Sequence, residues 1–186
     1  MDPAVRAASV DQILALLGRA ERLAHAIAER HGGADDGRAL LGKRLAPDMF
    51  SLAEQAVVLA DGLVGALALL AGRKDDPRAA FVFNRGHGMD LGPLPGTPDE
   101  IAALFGASRR AAAVLADTAV AGDGTVVRLA RPGDERLFYT ADFLLRYVLP
   151  NGEFHLAMIH AIARSAGIPV GKGDFEGPRP WRRHDE

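Results

Sequence analysis

Two imidazoles five residues apart, His155 and His160, sit in the run "YVLPNGEFHLAMIHAIARSAGIPVGKGDFEG" that closes most of the chain. With a reference pKa of about 6.5, a histidine suits proton transfer, ligand contact or metal ligation. His155 lies one helical turn before Met158 and Ile159 and two before Ile162, so its ring approaches an apolar helix face. At about 100° per residue, His160 points roughly 140° away. Imidazoles must converge at about 2 Å to share a metal, and an i,i+5 pair does this poorly. His160 therefore reads as a rim or helix-interface residue, and His155 as a partly buried imidazole bonded to a carboxylate, carbonyl or water, or else as a ligand-contacting, acid/base or metal-ligating group.

The acidic and amide partners come from three places. Asp48 follows Pro47 and suits a local turn. Asp61 interrupts the apolar run 56–71, where a charge is costly unless paired or hydrogen-bonded. Facing His155, either aspartate would orient the imidazole and favour its protonated form. Asn151 suits a helix cap and also stands near His155. The glycine-rich "GIPVGKGDFEG" brings Lys172 and Asp174, either as a lysine–aspartate turn or as a polar wall around a ligand. It lacks the spacing of a phosphate-binding loop. His87 and Asp90 in "NRGHGMD" read as loop composition, and His25 and His31 as surface or structural residues. Ser9 and Ser51 read as helix caps, and no G-x-S-x-G sequence is present.

These groups need elements to hold them. A helix is predicted over 9–30, capped by Ser9 with Gln12, before "HGGADDG" breaks it. A second begins at Ser51 with Glu54 as reciprocal cap and leaves at Gly72. The stretch 72–96 reads as a long connection. Thr97, Pro98 and Glu100 start a third helix. "TVVRLA" and "LFYTA" around "RPGDE" predict a small hairpin over 125–140. Thr140 caps a short turn that Pro150 ends, and Asn151 starts a fourth helix stopped by Gly167. Four amphipathic helices sharing one core predict an all-α four-helix bundle with the hairpin before the last helix. The expected domain is 1–177, with 178–186 an exposed tail that Trp181 is able to anchor.

Composition narrows the function. The formal net charge is −2 and no basic stripe interleaves with aromatics, so nucleic-acid binding is not expected. Cysteine is absent, which excludes disulfides and thiolate chemistry. The N-terminus has no secretory pattern, and the run 56–71 is short and polar for a membrane span. A cytoplasmic protein with no membrane partner is expected.

Three runs resemble the bacterial DUF1993 family: "RLAPDMFSL" at Arg44 to Leu52, "YVLPNGEFH" at Tyr147 to His155, and "GIPVGKGDFEG" at Gly167 to Gly177. Gly152 and Glu153 stand where that family usually has aromatics, and His160 where it tends to have tyrosine. The resemblance places the chain near the DinB/YfiT-like proteins, and it implies a four-helix bundle and a homodimer. Many of those relatives bind a divalent metal through three histidines, and some are thiol-dependent transferases or isomerases. The three-histidine pattern is not visible here.

The leading expectation is thus a small-molecule-binding bundle, with His155, Asp48 and Lys172 lining an interhelical cleft beside Asp61, Asn151, His160 and Asp174. One alternative is a metal-dependent thiol transferase or hydrolase with His155 as ligand. The other is a structural homodimer without catalysis.

Overall fold

A computed structural model describes residues 2–31, 37–121, 126–131 and 134–178. Trp181 and most of the expected tail lie outside the described residues. So do Gly32 to Asp36, Thr125, and the Pro132 and Gly133 of the expected hairpin turn. Helices make up most of the described residues. The long helices are α1 (Pro3–His31), α3 (Leu52–Leu70), α4 (Pro98–Ala121) and α6 (Leu149–Ser165). Shorter helices are α2 (Gly37–Gly42), α5 (Thr140–Asp142) and α7 (Lys172–Glu176), and two strands, β1 (Val126–Arg131) and β2 (Asp134–Tyr139), pair antiparallel.

Helix α3 is the core. Apart from Glu54, Asp61 and Leu69, every one of its residues is buried. It packs on α4 and α6, while α1 lies along α4 and touches α6 and α7. By length and composition α3 would cross a membrane, yet its apolar surface is buried inside the fold. Its start follows the expected chemistry. Glu54 N–H donates to Ser51 Oγ at 3.4 Å, and Ser51 N–H to Glu54 Oε2 at 2.6 Å.

Three local expectations are corrected. Helix α1 begins six residues before Ser9. Asp2 Oδ1 accepts from Ala4 N–H at 2.7 Å with Pro3 in the first turn, and Ser9 Oγ instead donates to the Val5 carbonyl inside the helix. At α4, Thr97 Oγ1 accepts from Glu100 N–H at 3.2 Å, but the Glu100 carboxylate turns to Gly96 N–H at 2.6 Å. Pro150 does not end a helix. The chain stays helical from Thr140 to Ser165 through a π-helical stretch, Phe143–Val148. A proline lacks the N–H for an α-helical bond and its ring crowds the carbonyl four residues back, and a widened turn accommodates both. Asn151 therefore caps nothing. Its Nδ2 donates to the Tyr147 carbonyl at 2.7 Å.

Glycines set how closely one connection approaches the core. The 3₁₀ turn Pro77–Ala80 and the residues after it lie directly on α3. A Cβ at Gly65 would overlap the Arg78 carbonyl, and one at Gly62 would stand 2.5 Å from Cε1 of Phe83. The hollow at Gly62 receives the Phe83 ring, while Phe83 itself takes a positive φ of 51°.

Candidate functional site

His155 is 6% exposed and enclosed by rings. Phe83 stacks on it at 5.5 Å and 9°. Phe154 meets it edge-on at 5.3 Å, and Phe50 is tilted at 6.2 Å. Its polar partner is Gln55, whose Oε1 lies 2.6 Å from Nδ1. The Gln55 amide has its other end on a carbonyl, with Nε2 donating to Phe50 O at 3.5 Å. That anchor leaves only an oxygen for the imidazole, so Nδ1 carries the proton and donates. Nε2 keeps its lone pair. It has no hydrogen-bond partner among the described residues. Burial lowers the His155 pKa to about 4. Protonating it at pH 7 therefore costs about 4 kcal/mol, which makes Nε2 a hydrogen-bond acceptor rather than an efficient base.

Gln55 is the residue that sequence reasoning missed. The signal was its position in the stripe Leu52, Gln55, Ala56, Leu59, where a lone amide on a buried face requires a partner. The sequence offered an aspartate as one partner for the imidazole, whereas the partner found is an uncharged amide that leaves the effect of burial unopposed.

Neither aspartate is seen to pair with His155. Asp48 is exposed and makes no hydrogen bond or ion pair among the described residues. Asp61 pairs with Arg85 at 3.3 Å. Burial pushes its carboxyl above the usual range, against the pull of the Arg85 and Arg78 guanidinium groups. Arg85 also lies over the Phe81 ring at 4.0 Å, and Tyr147 Oη donates to the Val82 carbonyl at 3.0 Å. Asp61 and Tyr147 thus clamp the segment that carries Phe83. His87, read as mere loop, stands 6.2 Å from Phe50 and 2.8 Å from Arg44 Nη1.

The C-terminal candidates occupy a different place. His160 packs edge-on against Phe175 of α7 at 5.8 Å, and its Nε2 is buried without a partner among the described residues. Asp174 takes a two-pronged pair from Arg30 on α1, at 2.7 and 3.0 Å, and accepts from Gly171 N–H at 2.7 Å. The bonds from Arg30 and from the Gly171 amide hold its carboxyl below the usual range. Lys172 is 85% exposed and pairs with Glu176 at 3.1 Å. Among the described residues no hydrogen bond or ion pair links His155, Asp48 and Lys172 to one another. Near Asp174 a separate cleft of about 410 Å³ opens between α1 and the C-terminal segment.

Among the described residues no group of three or more histidines and carboxylates is placed to hold an ion. His155 has an amide and three phenylalanines around it, which do not fit a three-ligand metal site.

Buried apolar helices packed around α3 define an all-α helical fold. A crystal structure of a DinB family member from Shewanella denitrificans superposes with a TM-score of 0.66 at 22% identity, over 97% of this chain and 94% of that one. Residues 6–176 match the domain of unknown function DUF1993, and the chain belongs to that family. No curated protein matches it.

Proposed function

We propose that the protein binds a small organic molecule that donates a hydrogen bond to His155 Nε2 and rests on Phe50 and Phe154. The observation that carries this is the Gln55–His155 pair, which presents a neutral imidazole in one tautomer. An acceptor fixed beside apolar rings is the recognition chemistry of many small-molecule sites. The partly exposed Phe50 and the exposed Phe154, with His87 and Arg44 beyond Phe50, would form the rim. In this reading 1–177 form one domain, the four long helices are its bundle, and the hairpin is an accessory. The reading takes the protein to be cytoplasmic and homodimeric. The exposed Leu137 and Tyr139, two apart on one face of β2, are offered as shared surface.

A thermal-shift screen of metabolites tests the site, with His155→Phe as the comparison. A ligand is expected that stabilises the native chain, moves the His155 Nε2 nitrogen resonance and loses its effect in the variant. Equal stabilisation of both proteins would place the ligand elsewhere and sink the reading.

A further inference from the structure

The cleft between α1 and the C-terminal segment has about 410 Å³, within the size class of small-ligand sites. Its α1 wall comprises Arg22, His25, Glu29 and Arg30, spaced to lie on one face of the helix. The charges on that wall differ in their engagement. Arg30 is committed to Asp174 and to the Pro169 carbonyl at 3.1 Å. Arg22 and Glu29 make no ion pair or side-chain hydrogen bond among the described residues. They stand two turns apart, about 10 Å along the axis.

Arg22 also passes close to two glycines. A Cβ at Gly18 would stand 3.7 Å from its Nη1, and one at Gly177, where φ is 67°, would overlap its guanidinium. The chain passes Arg22 at Gly177, whose positive φ favours glycine. The guanidinium thus lies near two glycines, and no anion among the described residues pairs with it.

We propose that this cleft binds a small molecule with a carboxylate at one end and an ammonium at the other, an ω-amino carboxylic acid. Arg22 takes the carboxylate in a two-pronged contact, and Glu29 takes the ammonium. A chain of about five or six carbons matches the two-turn separation. It crosses the cleft beside Ala26, past the mutually neutralised Arg30–Asp174 pair. Arg22 and Glu29 balance each other, so the cleft disfavours dianions and dications.

Three probes decide it on the full chain: 6-aminohexanoate, hexanoate and hexylamine, titrated by calorimetry and by amide shifts at Gly173 and Gly177. 6-Aminohexanoate is expected to bind about tenfold or more tightly than either single-ended probe. Arg22→Gln is expected to erase its advantage over hexylamine, and Glu29→Gln its advantage over hexanoate. Both replaced side chains are exposed, and a thermal melt checks that the fold is kept. Equal binding of all three probes, or unchanged binding in Arg22→Gln, would overturn the proposal. These amides report on this cleft and not on His155, so its failure leaves the reading of that imidazole standing.

Discussion

His155 shows how one buried hydrogen bond decides chemistry. A carboxylate partner would have raised its pKa, whereas Gln55 is uncharged and leaves the lowering by burial unopposed. The consequence for stability has a definite sign. Burial lowers the folded pKa to about 4 from 6.5, so on acidification the unfolded chain takes up a proton first. The stability tied to this residue is full above the unfolded value and is lost as pH falls toward the folded one. The loss amounts to about 3 kcal/mol. Urea melts between pH 7.5 and 4 should show this slope, and His155→Phe should flatten it. An NMR titration in which the His155 ring protonates near pH 6.5 would contradict the burial argument. Gln55→Leu should leave Nδ1–H without its acceptor inside the fold, costing about 1–3 kcal/mol in the same melts.

At the scale of elements, the glycines of α3 matter more than its leucines for placing the site. Alanine at Gly65 gains up to about 1 kcal/mol of helix propensity but must displace the Arg78 backbone. Overpacking of this kind costs about 1–3 kcal/mol, so Gly65→Ala should lower the melting midpoint. Gly62→Ala meets only a side chain, and its expected signature is local: Phe83 leaves the hollow and the ring-current shift at His155 changes. Ser51→Ala should cost about 1 kcal/mol by opening the reciprocal cap.

These elements also show what the sequence made legible. The Ser51 and Glu54 cap, the apolar period of α3 and the stop at Gly167, where φ is 87°, are local signals, and local chemistry decided them. Pro150 misled because a proline signals a break only while the helix around it keeps α geometry. The π stretch, Phe143–Val148, removes that condition, and it depends on packing that a linear reading does not contain. The pairing of Gln55 with His155 spans 100 positions, and that of Asp174 with Arg30 spans 144. A residue's type can be read in advance. The partner it meets across such separations cannot.

For the whole molecule, α7 should be the part that opens most readily. It has five residues, none buried, and is tied down by the Arg30–Asp174 pair and Phe175. Asp174→Asn should speed hydrogen exchange at 172–177 while leaving the amides of α3 protected. Because its carboxyl is held low by Arg30 and the Gly171 amide, the same docking should persist above the unfolded carboxylate pKa and be lost as pH falls through the lowered value. Helix α3 has the opposite problem. Its 19 residues leave the ribosome before α4 and α6, the surfaces that cover it. Until those arrive, the nascent chain displays an oily rod long enough to be mistaken for a bilayer segment. Its route to the native state therefore runs through a window in which that stretch is exposed to any apolar surface it meets.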